Sequence, residues 1–353
     1  MRILHLSRTM GQGGAEKIVF QLCKDNCAEL NIVASCGGEY VKQLEDNCVK
    51  HIVIPDMENK NLSCIFKTLG ILIDVVKKYD ITIIHSHHRM GAFYARILQS
   101  LFPKIHHVYT AHNVFYDKKR LMRYALSKAK IVACGSTVKT NLLDVYEIDE
   151  NKIKVIYNAV EVPECETIKF NKSRSDKCIE IGFIGRLSEQ KGVDIFIKSI
   201  SKLYKKYPKI GIYIIGDGED RNKIENLVDE LKLNEYVNFL GFRTDIFNLI
   251  KSMNFIVLPS RWEGFPLTPI EVFSMKKTII VSDIPNNTEI VEDGYNGLVF
   301  KSEDVVDLSK KIEELILMDK SNLENNAYNT YREKFSYQQF INNYNILYKE
   351  QEL

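Results

Sequence analysis

The feature that most constrains this chain is a repeating alternation: a short run of Ile, Val and Leu, then a stretch whose apolar residues recur at helical spacing. The runs ILHL, NIVAS, HIVIP, ITIIH, HHVYT and KIVAC are interleaved with helical spacing over 14–27, 62–78 and 90–101. Runs that are apolar at every position read as strands covered on both faces, and strands joined through helices lie parallel. The expected class is α/β, with doubly wound sheets.

The alternation fades over 161–177 (EVPECETIKFNKSRSDK) and restarts with IGFIG, IGIYIIG, VNFLG, NFIVLPS, TIIVS and GLVF. A chain of 353 residues exceeds the roughly 100–200 usual for one domain. Two Rossmann-like domains are expected, 1–165 and 166–335, facing a central cleft where ligands of such sheets bind. The polar, aromatic-studded tail 336–353 reads as an extra helix packing back on the first domain.

Composition narrows the setting. The eight cysteines show no CxxC pair, and Met1 leads directly into RILHLS without a signal-peptide core. No segment approaches 18 uncharged apolar residues, so a cytoplasmic protein with reduced thiols is expected. Residues 1–170 carry 23 Lys/Arg against 18 Asp/Glu, leaving 25 against 28 in the rest. All eight histidines precede residue 113, and 104–130 holds seven Lys/Arg against Asp117 alone. Such an excess suits an anionic partner or a solvated basic face, and is too weak to indicate nucleic acid.

The most informative stretch is LPSRWEGFPLTPIEVFSM. Glu263 falls in a loop beside Gly264 and the aromatics Trp262 and Phe265, which are expected to be exposed. Thr268 suits a helix N-cap, Pro269 the first turn, and Glu271 the third helical position. Glu271 therefore has two readings: partner of Thr268 in a capping box, or a carboxylate for ligand hydroxyls. The same helix start favours a phosphate through its free N–H groups and dipole.

A second constellation is IGFIGRLSEQKGVD, where Arg186 follows a strand and Lys191 enters the first turn of a helix. A cation there opposes the helix dipole unless an anion compensates. Both cations converge on a leaving diphosphate in one reading; in the other they pair with Glu189 or Asp194. Gly216, and Phe242 with Arg243, follow further strands.

In the first half, Gly11, Gly13 and Gly14 follow the first strand, bringing backbone close to an anion. This is not a nicotinamide-dinucleotide fingerprint: the third glycine position holds Glu16, and no acidic residue closes NIVAS. His85, His87 and His88 (HSHH), with Arg89, end one strand, and His112 (YTAHN) ends another. No carboxylate or Cys joins them at ligand spacing, so metal ligation is not expected. The segment KKRLMRYALSKAK offers Leu121, Met122, Tyr124, Ala125 and Leu126 as an apolar face, for the sheet or for an anionic membrane surface.

Taken in order, these motifs resemble the retaining GT-B glycosyltransferases of family 4, which build bacterial polysaccharides, glycolipids and lipid-linked oligosaccharides. The resemblance covers nearly the whole chain. It is carried by the loop at Gly13 to Lys17, the His112 strand end, the Arg186-x4-Lys191-Gly192 pattern and the E-x7-E pair Glu263 and Glu271. It implies a nucleotide-sugar donor, a UDP-sugar ahead of a GDP-sugar, and a saccharide or lipid-linked saccharide acceptor, with no cofactor and no metal. It implies that Glu271 binds the ribose, Glu263 the sugar, Arg186 and Lys191 the diphosphate, and the backbone of Gly264, Phe265, Pro266, Leu267 and Thr268 the phosphate and sugar. Gly13, Gly14, Gly216, Phe242 and Arg243 complete the donor set. His112, Glu263, Arg186 and Lys191 fall at the reacting centre, and His85, His87, His88 and Arg89 face the acceptor. A sugar-nucleotide 2-epimerase of the same layout, or a non-catalytic binding subunit, are the alternatives.

Overall fold

The computed structural model describes residues 1–11, 13–168 and 178–351. The pattern break expected over 161–177 thus lies partly outside the described residues; 161–168 carry neither helix nor strand. The chain divides into two compact units, residues 1–159 with 337–353, and 160–336. The division precedes the expected 165/166 boundary because the intervening residues are tied to the second unit. Tyr331 OH donates to Val160 O and Lys251 Nζ to Cys165 O, and the run goes on with Glu166 N donating to Asn248 Oδ1 and Ile168 N to Ser252 Oγ.

The first unit holds β1 (Arg2–Leu6), β2 (Leu30–Ser35), β3 (Lys50–Val53), β4 (Ile83–Ser86), β5 (His106–Ala111), β6 (Lys130–Ala133) and β7 (Ile153–Val155). They form one parallel sheet in the order β3-β2-β1-β4-β5-β6-β7. β7 was not anticipated: IKV is too short to register as a run. One face is covered by the helices Leu62–Tyr79 and Arg89–Leu101 through Leu72, Val76, Tyr94 and Leu98, the other by Gly14–Asp25 through Val19 and Cys23. The helix Tyr337–Lys349 belongs to this unit, burying Tyr344 and Tyr348 and accepting from Cys27 N through Asn345.

The second unit holds β8 (Ile179–Ile184), β9 (Ile210–Ile215), β10 (Val237–Gly241), β11 (Phe255–Leu258), β12 (Ile279–Ser282) and β13 (Leu298–Phe300), again all parallel, in the order β10-β9-β8-β11-β12-β13. In each sheet the order reverses once, between β1 and β4 and between β8 and β11. Loops leaving the carboxyl ends of such a pair diverge and open a crevice, which is where sheets of this kind bind ligands. Among the described residues no helix is long and apolar enough to cross a membrane.

The helix from KKRLMRYALSKAK spans Lys119–Leu126. Met122, Ala125 and Leu126 are buried, while Leu121 and Tyr124 stay exposed. The expected five-residue patch is therefore two residues: the other three face the interior, and Tyr124 packs on Phe93 and under Arg96.

Candidate functional site

In the second unit the residues singled out by sequence gather at the β8/β11 reversal. Arg186 leaves β8 one residue after Gly185, is exposed, and makes no ion pair or hydrogen bond among the described residues. Lys191 closes a short 3₁₀ turn, Glu189–Lys191, and lies outside the helix Val193–Ile200. It directly precedes the N-cap Gly192, at φ +64, and the anion that offsets the helix dipole there is Glu263. A Cβ on Gly192 would fall 2.1 Å from Pro259 O, so only glycine lets this turn approach the loop after β11. Gly216 does the same next door: its Cβ would fall 1.9 Å from Gly185 O.

Lys191 Nζ lies 2.6 Å from Glu263 Oε1. The same oxygen accepts from Ser260 Oγ at 2.6 Å, and Gln190 Nε2 reaches Oε2 at 3.4 Å. Glu263 is only 6% exposed, so this carboxylate is desolvated and depends on these donors. The alternative pairing of Lys191 with Asp194 is not formed. Asp194 is gripped by Arg261 at 2.9 and 3.0 Å, and Arg261 also pairs with Glu303 and donates to Glu189 O. Arg261 thus clamps the Lys191 turn onto the β11 loop.

The helix carrying Glu271 spans Thr268–Ser274 and is preceded by Leu267. Glu271 N donates to Leu267 O at 2.9 Å, so its N–H is already intrahelical, and Thr268 Oγ1 donates instead to Ile184 O at 3.4 Å. The capping-box reading of Glu271 with Thr268 is therefore not realised; the threonine ties the helix start to the end of β8. Glu271 is buried. Trp262 is half exposed as expected, but Phe265 is buried against Phe335, leaving its backbone as what it can offer a ligand. Gly264 O accepts from Asn286 Nδ2, and Pro266 and Leu267 complete the turn. Phe242 is exposed after β10, and Arg243 is engaged by Asp245 at 2.6 Å.

In the first unit Gly13 is the N-cap of the helix Gly14–Asp25, at the carboxyl end of β1. Its loop is braced by Gly38, φ +141, whose Cβ would fall 2.3 Å from the Met10 carbonyl carbon. The histidines divide. His85 is fully buried, its Nδ1 2.7 Å from Tyr348 OH and its Nε2 2.8 Å from Thr110 Oγ1, so it turns into the fold rather than toward a ligand. His87 bonds His5 through Nε2 and His112 through Nδ1. His88 caps the helix Arg89–Leu101 by accepting from Met90 N, and Arg89 pairs with Asp117 over the Phe115 ring. Burial lowers the pKa of His5 and of His112 to about 4, and of His85 and His87 well below the ordinary value, so all four imidazoles are neutral near pH 7.

Sequence reasoning missed Ser260, Gln190, Arg261, Asn286, Gly38, Asn31 and His5. Ser260 and Arg261 stand inside the motif it read; the partners of Arg261, Asp194 and Glu303, lie 67 and 42 residues away and leave no local signal, while Ser260 meets Glu263 only three residues on, through a loop turn that spacing does not reveal. Ring nitrogens of His5, His85 and His87 approach within 4.8 Å of one another, a spacing a metal ion can use. In this structure those nitrogens are taken up by hydrogen bonds to one another, to Asn31, Tyr348 and Thr110, and to His112.

Comparison with known proteins bears on the family and the fold. Residues 165–333 match the family described as glycosyl transferases group 1, and residues 12–163 match glycosyltransferase family 4. The chain is 28% identical over 323 residues to an uncharacterized glycosyltransferase of Methanocaldococcus jannaschii, covering 87% of each. It is 25% identical over 332 residues to the UDP-Gal:alpha-D-GlcNAc-diphosphoundecaprenol alpha-1,3-galactosyltransferase of Escherichia coli, covering 86% of this chain and 85% of that one. The crystal structure of Anabaena HepE with UDP-glucose superposes with a TM-score of 0.85 at 20% identity over the full length of both chains.

Proposed function

The chain belongs to the family 4-type glycosyltransferases of the GT-B fold, and on that premise we propose that it moves a hexosyl group from a UDP-sugar to a saccharide or lipid-linked saccharide, with retention, in bacterial surface polysaccharide synthesis. The observation that carries this reading is the buried Glu263 held by Lys191 at the β8/β11 reversal, with Arg186 uncommitted beside it. A diphosphate arriving there competes for the Lys191 ammonium and engages Arg186. Both cations offset the charge that builds on the leaving group as the glycosidic bond breaks. Glu263, relieved of part of its pairing, accepts from sugar hydroxyls, and Glu271 accepts from the ribose diol.

Retention follows when the acceptor attacks from the face that the diphosphate leaves, a diphosphate oxygen taking the acceptor proton. The donor named for the Escherichia coli relative, and its diphosphoundecaprenol-linked acceptor, support the choice of uridine and of a lipid-linked saccharide. In this reading the enzyme works in the cytoplasm at the inner face of the cell membrane, with the basic helix Lys119–Leu126 and its exposed Leu121 and Tyr124 facing anionic lipid. Equal activity on a lipid-free acceptor and indifference to liposomes would remove the membrane part.

Calorimetric titration with UDP and GDP tests the donor site. UDP should bind more tightly than GDP, and both Lys191→Ala and Glu271→Ala should weaken it at least tenfold. Absence of binding, or binding indifferent to both changes, overturns the proposal. Proton NMR of the first-formed product reports retention or inversion.

A further inference from the structure

Beyond the reacting residues, the first unit contains a chain of hydrogen bonds whose direction can be deduced. Asn26 Oδ1 accepts from the backbone N–H of Ala28 at 2.9 Å, so its amide nitrogen faces Asn31 Oδ1 at 3.0 Å. Asn31 Nδ2 in turn donates to Cys23 O at 3.0 Å. Two backbone groups thereby fix both amides, and Asn31 Oδ1, an acceptor only, is the atom 3.3 Å from His5 Nε2.

His5 Nε2 must then carry the hydrogen. A neutral imidazole has one donor and one acceptor, so His5 Nδ1 is bare and the contact at 3.2 Å is donated by His87 Nε2. His87 Nδ1 is bare in consequence, and the contact at 3.1 Å is donated by His112 Nε2. What remains is His112 Nδ1: a bare lone pair, shielded from solvent and without a hydrogen-bond partner. It is one of seven buried side-chain atoms in this condition among the described residues, and the one that ends a hydrogen-bonded chain of imidazoles.

We propose that Asn31, His5 and His87 form a relay that sets the tautomer of His112, so that His112 meets its ligand through Nδ1 as a hydrogen-bond acceptor and not as a donor. The group that completes it is a hydrogen-bond donor; that this is a hydroxyl of the transferred sugar rests on the proposed function, whereas the relay does not. The relay ends in an amide and not a carboxylate. A proton arriving at Nδ1 can be passed inward no further than His5, where nothing neutralises it, so His112 orients a hydroxyl without taking its proton. His5, His87 and Asn31 are positioning residues in this scheme.

Long-range proton–nitrogen NMR of histidine-labelled protein tests the relay directly, with the His112 signals assigned from His112→Gln. In the wild type at about pH 7.5, His112 should appear as a single tautomer, protonated at Nε2. Asn31→Asp keeps an acceptor for His5 and should leave that tautomer in place. His5→Phe removes the anchor and should give mixed tautomers at His87 and His112. The same variant should bind UDP as the wild type does. It should bind UDP-glucose or UDP-galactose, whichever the wild type takes, roughly tenfold less tightly. His112 protonated at Nδ1 in the wild type, or an unchanged tautomer in His5→Phe, overturns the relay; the wild-type spectrum decides even if that variant does not fold. Failure of the wild type to bind UDP, with the tautomer as deduced, would fault the donor reading and leave the relay standing.

Discussion

A carboxylate as buried as Glu263 depends on its neighbours, and the dependence is lopsided. Lys191 retains 19% side-chain exposure against 6% for Glu263, so an orphaned lysine finds water where an orphaned glutamate does not. Lys191→Met should therefore destabilise the ligand-free protein by roughly 2–3 kcal/mol, and Glu263→Gln by less than half of that. Combining them should recover most of the loss, because the double variant leaves no unpaired charge. Melting of the four proteins settles the point; additive losses would mean that the pair is not coupled. That Glu263, Lys191 and Arg186 stand at strand ends or glycine turns, where open sheets present ligand groups, was legible in the sequence. The partner of Lys191 was not legible, since pairing across 72 residues is a property of the fold.

At the scale of elements, Arg261 holds the Glu189–Lys191 turn against the β11 loop by donating to Glu189 O and Gln190 O, and grips Asp194 of the following helix with both guanidinium nitrogens. Arg261→Lys keeps the charge and loses the fork. It should weaken UDP binding severalfold while leaving the bulk of the stability, and unchanged binding would show that the clamp does not position Lys191. The helix Tyr337–Lys349 offers a parallel test in the first unit. Tyr348→Phe strands His85 Nδ1 in the interior and should cost ~1–3 kcal/mol, whereas Ile346→Ala, at a position half exposed, should cost little. Most strands declared themselves as uninterrupted apolar runs. β7 did not, because three residues carry no period, and the cap of the Glu271 helix was misplaced because Leu267 already accepts the first intrahelical bond. The burial of Phe265 and of His85 was hidden for the same reason: which way a loop or strand-end side chain turns depends on Phe335 and Tyr348, distant in sequence.

At the scale of the whole molecule, the histidines make the two units respond differently to acid. All eight precede residue 113, so the second unit has none. Burial lowers His5 and His112 from 6.5 to about 4 and His107 to about 3, and pushes His85 and His87 well below 6.5 as well. A histidine with a depressed folded pKa takes its proton more readily when unfolded. Above about pH 6.5 both states are neutral and the effect vanishes; from there down to about 4 the unfolded chain holds protons that the folded chain lacks, and stability falls with pH. Each such group contributes up to ~1.4 kcal/mol per pH unit across that window. The one tryptophan, Trp262, lies in the second unit, so its fluorescence follows that unit while circular dichroism follows both. Between about pH 7.5 and 5.5 the dichroism melt should move to lower temperature by several degrees, and the fluorescence melt should move much less. Coincident shifts would mean that the units unfold as one cooperative body, with the histidine cost of the first shared by the second.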